Sequence, residues 1–168
     1  MLLRGVAGFA VLAFAAAGGF AAAAAEPSAT LVRAMTALRG LESATVAGLT
    51  YPEYLRRLAD AKAEFDRLDR GSRNSPAGEA LARALGYYVA AAKVWGADTD
   101  PGNVTWGMLA AALPREADRS MCGPVQAIAD EAAKERAGGH NDFTGTVEIP
   151  PIWACASKQL AEAQRLLK

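Results

Sequence analysis

The chain has 168 residues, of which 52% are hydrophobic and 21% charged, and its 18 basic and 18 acidic side chains balance. Because both signs are interleaved and neither dominates, the composition argues against nucleic acid as a partner. The length suits one domain with a sizeable core.

Residues 1–25 have the layout of a secretory signal peptide. One early charge, Arg4, precedes an apolar run over residues 5–20, and the segment ends in three alanines that fit an A-x-A cleavage site. We therefore expect cleavage after Ala25 and a single domain over residues 26–168, periplasmic or secreted and not inserted in the membrane. The alternative is an uncleaved anchor, although alanine and glycine make this run weakly hydrophobic.

A first helix is predicted from Ser28 to Ala44. Its apolar residues recur at steps of three and four, which is the spacing of one helix face. Gly40 weakens the helix, since a glycine inside a helix costs about 1 kcal/mol relative to alanine. Residues 46–49 are expected to link it to the next element.

Residues 50–95 predict an antiparallel pair of helices. Thr50 and Glu53 have capping-box spacing, Gly71 is expected to end the first helix in a left-handed conformation, and Ser75-Pro76 is expected to start the second. The two apolar stripes are Tyr51, Tyr54, Leu58, Ala61, Phe65 and Leu68, and then Leu81, Ala84, Tyr88, Ala91 and Trp95.

The antiparallel arrangement predicts that aromatic side chains gather at one end of this hairpin. With the turn centred near Arg73, Tyr51 lies near Trp95 at the end away from the turn, and Trp106 is expected to cap the group. The cluster is interpreted as core packing or as a ring-lined ligand pocket between helices. The candidate ligand-binding residues are Tyr51, Tyr54, Tyr88, Trp95 and Trp106.

A break is predicted at Gly96, followed by a turn-rich connection. Asp98, Asp100 and Asn103 are oxygen ligands of the kind that calcium prefers, but their spacing does not match the twelve-residue calcium loop. Turn formation, with Asn103 capping the next helix, is favoured. No metal site is therefore predicted.

The last third of the chain is expected to hold three helices. They are predicted over residues 104–113, from about Met121 or Pro124 to Ala137, and from near Trp153 to the C-terminus. Residues 140–152 are expected to be irregular, with one extended segment stiffened by two prolines.

Cys122 and Cys155 are the only cysteines, and an even pair in an exported chain favours a disulfide. Neither a C-x-x-C dithiol motif nor a haem-attachment motif is present, so a redox-active pair is the less favoured alternative. The predicted bridge ties the irregular segment to the helices on either side.

The sequence offers little basis for catalysis. His140, the only histidine, lies close to Asp142 and is the one candidate general base, but a solvated turn is the favoured interpretation. Serine-hydrolase, phosphate-loop and zinc-protease motifs are absent. No enzymatic activity and no cofactor are predicted.

These elements predict an all-α fold, a small bundle of about five or six mostly antiparallel helices with one disulfide-tied irregular segment. The favoured function is an exported, non-enzymatic helical module that binds a protein or envelope component. The alternatives are a small-molecule binder using the aromatic residues and, with least support, an enzyme using His140 and Asp142. The sequence leaves the partner's identity and the oligomeric state open.

Overall fold

The structure, a computed structural model, describes residues 28–99, 105–140 and 147–168. Helices make up 81% of these residues and no strand occurs among them, which confirms the all-α prediction. The predicted signal peptide lies outside the described residues. The helices are α1 (Ala29–Ala47), α2 (Tyr51–Asp66), α3 (Arg70–Arg73), α4 (Pro76–Thr99), α5 (Trp106–Ala112), α6 (Glu116–Arg119), α7 (Gly123–Ala137) and α8 (Pro150–Leu166).

The four long helices α1, α2, α4 and α8 form an up-down-up-down bundle. The most extensive contact is between α4 and α8, followed by the contact between α1 and α2. Arg83 of α4 donates to Gln159 of α8, whereas Trp95 further along α4 contacts Trp153 at the start of α8. These two contacts show that α4 and α8 run antiparallel. The predicted hairpin of α2 and α4 is therefore one edge of a larger bundle.

Helix α4 is the central element because it is buried around most of its circumference. It contacts α8, α2, α3, α5 and α1. Small residues dominate the buried set, which lets several helices approach it closely. Its buried residues are Ala77, Gly78, Ala80, Leu81, Ala84, Leu85, Tyr87, Tyr88, Ala90, Ala91, Ala92, Val94 and Ala97.

Local capping explains where α1, α2 and α5 begin and end. Ser28 accepts a hydrogen bond from the Leu31 amide, and Thr50 accepts one from the Glu53 amide, as the capping spacing predicts. Helix α1 runs three residues beyond the predicted end and stops at Gly48, which has a positive φ of 84°. Thr105 caps α5; Asn103, the predicted cap, lies outside the described residues.

Two glycines do not act as predicted. Gly71 lies inside the single turn α3, and it has no positive φ. Helix α2 instead ends at Asp66, with Arg67 as its C-cap, and Arg73 of α3 donates to the carbonyl oxygens of Asp66 and Leu68 at this end of the helix. Gly96 does not end the helix as predicted, because α4 continues through it to Thr99.

Helix α8 begins three residues before the predicted position. Ile149 is helical (φ −77°, ψ −42°), so the predicted extended segment does not continue to the prolines. Pro150 and Pro151 are the first two helical residues, where a missing amide hydrogen costs nothing because it would have no helical partner.

Helices α5, α6 and α7 lie beside the bundle. Helix α5 contacts α7 and α4, and the Tyr87 hydroxyl of α4 donates to the backbone carbonyl of Asp118 in α6. Cys122, just before α7, forms a disulfide with Cys155 of α8, with the Cα atoms 5.8 Å apart. Both sulfur-bearing residues are buried. The predicted disulfide is confirmed, and it supplements a sparse direct contact between α7 and α8.

Replacing both cysteines with serine is expected to lower the free energy of unfolding by about 3 to 4 kcal/mol, because the bridge closes a chain segment with a sequence separation of 33. Chemical denaturation with and without a reductant measures the loss. Hydrogen exchange is expected to rise most in α7. Equal stability of the two proteins, or a rise in exchange in α4 as large as that in α7, would contradict this account.

Candidate functional site

Four aromatic side chains from three helices form a continuous group, which we call the aromatic cluster: Tyr51, Tyr54, Trp95 and Trp153. The ring centroids of contacting pairs are 5.4 to 5.8 Å apart and the rings are tilted by 43° to 63°. These distances and tilts are typical of favourable aromatic pairs. The cluster lies at the end of the bundle where α2 and α8 begin and α4 ends.

Tyr54 occupies the centre of the cluster and is fully buried. Its hydroxyl donates a hydrogen bond to the Tyr88 carbonyl oxygen of α4 (2.8 Å) and accepts one from Trp153 Nε1 of α8 (3.2 Å). One phenol oxygen thereby links α2, α4 and α8. Its hydrogen-bonding capacity is used within the fold, and none of it is offered to a ligand.

Tyr51 fastens the outer edge of the cluster to α4. Its hydroxyl donates to the Ala92 carbonyl oxygen at 3.1 Å. A Cβ atom on Gly96 would lie only 2.5 Å from that hydroxyl oxygen, which is too close for non-bonded atoms. Gly96 therefore stays in α4 despite its poor helix propensity, because only a residue without a side chain leaves room for Tyr51.

The structure brings three of the five predicted site residues together: Tyr51, Tyr54 and Trp95. Tyr88 contributes its backbone carbonyl, as described above, rather than its ring. Trp106 is buried at the first position of α5, which packs against α7 and α4.

Two aromatic residues with structural roles, Trp153 and Tyr87, were not among the predicted site residues. Trp153 was predicted only as the start of the last helix, and Tyr87 was not singled out. The side-by-side packing of α4 and α8 defines the role of Trp153, and the chain carries no local signal for that packing.

The Tyr88 hydroxyl is buried and has no hydrogen bond of ordinary geometry. Burial is the main cause of the raised pKa of Tyr88; Glu42 of α1 adds to the rise, whereas Ser157 of α8 and Arg39 of α1 lower the pKa. Glu42 and Arg39 pair with each other at 2.5 Å. Tyr88 therefore places a polar atom in the core with little compensation, and its ring supplies the stabilising contact.

The aromatic cluster reaches the surface through its outer members. Tyr51, Trp95 and Trp153 are only half-buried, in contrast to Tyr54. Leu55, one helical turn after Tyr51, is 40% exposed. These four residues, Tyr51, Leu55, Trp95 and Trp153, are called the aromatic surface below.

The electrostatics of the cluster suit packing or stacking rather than proton transfer. Burial is the main cause that raises the pKa of Tyr54 above its ordinary value, so the phenol stays neutral at physiological pH. At the rim, Glu53 is paired with Arg57 at 2.9 Å. Among the described residues, the cluster itself consists of neutral aromatic side chains, and this ion pair lies at its edge.

The remaining candidates for chemistry are dispersed. His140 is exposed and lies 3.5 Å from Glu135 in α7, while Asp142 lies outside the described residues. Within residues 28–99, 105–140 and 147–168, no group of three or more histidine, cysteine or acidic residues is arranged to hold a metal ion. No described helix has both the length and the apolar character needed to cross a membrane.

Comparison with known proteins gives no relative: the chain matches no family model, no curated protein and no solved structure.

Tyr54→Phe and Tyr88→Phe form a matched pair with different expected effects on stability. Tyr54→Phe removes one donated and one accepted hydrogen bond, each with a net contribution of about 0.5 to 1.5 kcal/mol, so we expect a loss of about 1 to 3 kcal/mol. Tyr88→Phe removes a buried hydroxyl that has no hydrogen bond of ordinary geometry, so stability is expected to stay within about 0.5 kcal/mol or to rise. Urea unfolding at pH 7 measures both.

Tyr54→Phe and Tyr88→Phe are also expected to change how the free energy of unfolding depends on pH in the alkaline range. Burial raises the pKa of both Tyr54 and Tyr88, so the folded state holds these protons more tightly than the unfolded state. Their contribution to stability is complete below about pH 10, the ordinary tyrosine pKa, and declines above it. Each substitution is expected to flatten that decline. An unchanged slope in Tyr88→Phe, or equal destabilisation by the two substitutions at pH 7, would contradict the assigned environments.

Gly96→Ala is expected to destabilise the protein by about 1 kcal/mol or more although alanine is the better helix former, because Tyr51 must move and lose its bond to Ala92. In a Tyr51→Phe background the same substitution is expected to be neutral or stabilising, since the clashing oxygen is gone. A double-mutant cycle by chemical denaturation measures the coupling. Additive effects would show that the contact between Gly96 and Tyr51 does not limit this position.

Proposed function

We propose that this protein is an exported, non-enzymatic helical module that binds a protein or envelope component through the aromatic surface. The observation that carries the proposal is the partial exposure of three aromatic side chains, Tyr51, Trp95 and Trp153, at one end of the four-helix bundle. Tyrosine and tryptophan are the residues most enriched at the energetically dominant positions of protein interfaces.

The rings of the aromatic surface are held in place by contacts with the interior of the bundle, and this favours binding. Tyr54 holds Trp153 through a hydrogen bond and contacts Trp95, while Tyr51 is fixed to α4 through Ala92. Side chains already held in one arrangement lose little conformational entropy when a partner docks. The aromatic surface therefore combines large contact area with a low ordering cost.

Export is supported by two independent features. Residues 1–25 have the signal-peptide pattern described above, and Cys122 and Cys155 form a disulfide of the kind that persists in oxidising compartments. We therefore place the proposed activity in the periplasm or outside the cell. A non-enzymatic role is favoured because the sequence lacks catalytic motifs.

The small-molecule alternative has less support. The four rings contact one another directly, so the space between them is filled by the protein itself. Only the outer ring faces are offered to a ligand. Rings that fill the space between them suit a macromolecular partner better than a small molecule, which binds in concave sites.

The experiment is affinity capture from an envelope extract with the purified protein as bait, followed by affinity measurement with the recovered partner. Leu55→Glu places a charge on the aromatic surface without removing a ring, and we expect the dissociation constant to rise about tenfold or more. Met121→Glu is the matched control, because Met121 is 55% exposed but precedes α7, outside the four-helix bundle. Its affinity is expected to equal that of the wild-type protein.

If Leu55→Glu binds the partner as tightly as the wild-type protein does, the interface does not include the aromatic surface. If the folded bait repeatedly captures no partner, the proposed function is wrong. Native mass spectrometry separates the alternative. An additional small mass on the native protein that disappears on denaturation, and is lost in Trp95→Ala beyond any effect on stability, would establish a small-molecule binder instead.

A further inference from the structure

The last turn of α4 carries an acidic residue that the fold does not explain. Asp98 is exposed, and its carboxylate makes no ion pair or hydrogen bond with any described residue. The C-terminal end of a helix carries partial negative charge, so an acidic side chain is unfavourable there. Helix α4 has no basic residue in its last turn to offset this charge. Asp98 therefore costs the helix stability without a compensating contact in the described part of the chain.

Asp98 is a neighbour of the aromatic surface. It follows Trp95 by three residues, and residues at this spacing lie on the same side of a helix with Cβ atoms about 5 to 6 Å apart. Trp95 is only partly buried, and it contacts the other two partly exposed rings, Tyr51 and Trp153. A carboxylate and three partly exposed rings are thus combined at one end of the bundle.

The other charged residues near the aromatic surface are accounted for by the fold or project to another side. Glu53 of α2 lies 2.9 and 3.9 Å from two arginines of the same helix. Glu148 precedes the N-terminus of α8, where negative charge is favourable. Lys93 precedes the tryptophan of α4 by two residues, so it projects about 160° away from that ring. Asp98 therefore gives this edge of the surface a negative charge that nothing among the described residues neutralises.

The ring and the carboxylate both select a cation. The face of an aromatic ring attracts a positive group placed within about 6 Å of its centre, and tryptophan attracts it most strongly. The Asp98 carboxylate attracts the same charge. Arginine suits the combination better than lysine, because its planar guanidinium group can stack on an indole ring while its N–H donors bond a carboxylate.

We infer that the aromatic surface binds an arginine side chain of the partner protein, with the guanidinium group stacked on Trp95 and hydrogen-bonded to the Asp98 carboxylate. The inference rests on the proposed function and specifies the partner as a protein with an exposed arginine in its interface. A cation is stabilising at the C-terminal end of a helix, so the bound arginine also offsets the unfavourable charge at the end of α4. Arginine is itself enriched at the energetically dominant positions of interfaces.

The arginine site lies at the outer edge of the aromatic surface. Asp98 is one turn beyond Trp95 toward the end of the bundle, whereas Leu55 is one turn beyond Tyr51 toward its middle. The two edges are about 10 Å apart along the bundle axis. This separation exceeds the screening length of about 8 Å at physiological salt, so a carboxylate introduced at position 55 does not replace that of Asp98.

An NMR titration of the ¹⁵N-labelled protein tests the inference, because the chain has three tryptophans whose indole N–H groups give separate signals. The probe is a blocked Gly-Arg-Gly peptide, and the control probe carries citrulline, which is uncharged, in place of arginine. At constant ionic strength we expect the arginine peptide to shift the Trp95 signal with a dissociation constant of about 1 to 10 mM. The citrulline peptide is expected to leave it unchanged. Trp106, which is buried in α5, is the internal control.

Asp98→Asn is expected to raise the dissociation constant about two- to fivefold, the range of an exposed ion pair. Its melting temperature is expected to stay the same or rise, because a negative charge leaves the end of α4. Asp60→Asn makes the same charge change more than two turns along α2 from Tyr51, and it is expected to bind like the wild-type protein. Binding of the arginine peptide is expected to weaken as sodium chloride rises from about 20 to about 500 mM.

A Trp95 signal that does not move up to about 20 mM arginine peptide would overturn the inference. Equal shifts with the citrulline peptide, equal affinities of Asp98→Asn and wild type, or a Trp106 shift as large as that of Trp95 would also overturn it. Failure of the proposed function gives a different result. A captured partner whose binding is weakened by Leu55→Glu but not by Asp98→Asn would remove the arginine site alone. Capture of no partner, with arginine-specific peptide binding intact, would count against the proposed function alone.

Discussion

The arrangement of the helices in the bundle depends on the hydrogen bonds of one buried hydroxyl group, that of Tyr54. Tyr54 inserts a polar oxygen among three helices, and an unpaired oxygen there would cost about 1 to 3 kcal/mol. The chain satisfies it twice, through the Tyr88 carbonyl of α4 and Trp153 Nε1 of α8. These bonds fix the relative heights of α2, α4 and α8, because a shift by one turn along any of them would separate the partners by about 5.4 Å.

This constraint also links the interior of the bundle to its surface. Trp153 donates a hydrogen bond to Tyr54, while part of its side chain remains exposed to solvent. Trp95 contacts both Tyr54 and Trp153. The side chains that we propose for partner binding are therefore the outer layer of the group that sets the helix register. A substitution in the outer rings would affect both binding and stability, which makes Leu55 the more informative position for separating them. Leu55 belongs to the surface but to none of the ring pairs.

Much of the local structure could be predicted from sequence because its causes are local. The Thr50 cap, the start at Pro76 and the apolar stripes all depend on residues within four positions of one another. The contact between Tyr51 and Trp95 also followed, since a short connection forces antiparallel pairing. The disulfide followed from the cysteine count and the expected export.

The remaining features could not be predicted because their causes are far apart in the chain. The stripe on α4 suggested one buried side, whereas five helices surround it, so Tyr87 was missed. The prediction that Gly96 ends the helix was wrong. The reason for a glycine at this position is the close approach of Tyr51, which lies on another helix. Trp153 was missed as a site residue because its role depends on α8 packing beside α4.

The hydrogen bond between Tyr54 and Trp153 spans 99 positions of sequence. A chain made from its N-terminus at about 5 to 20 residues per second cannot close the aromatic cluster until α8 has been synthesised. Before that moment α1, α2 and α4 lack the helix that makes the most extensive contact with α4, and Tyr54 lacks its second partner. Completion of the fold is therefore delayed until nearly the whole chain is available. On the export route that we propose, in which the chain crosses a membrane unfolded, such a delay would keep the chain competent for translocation until α8 has been made.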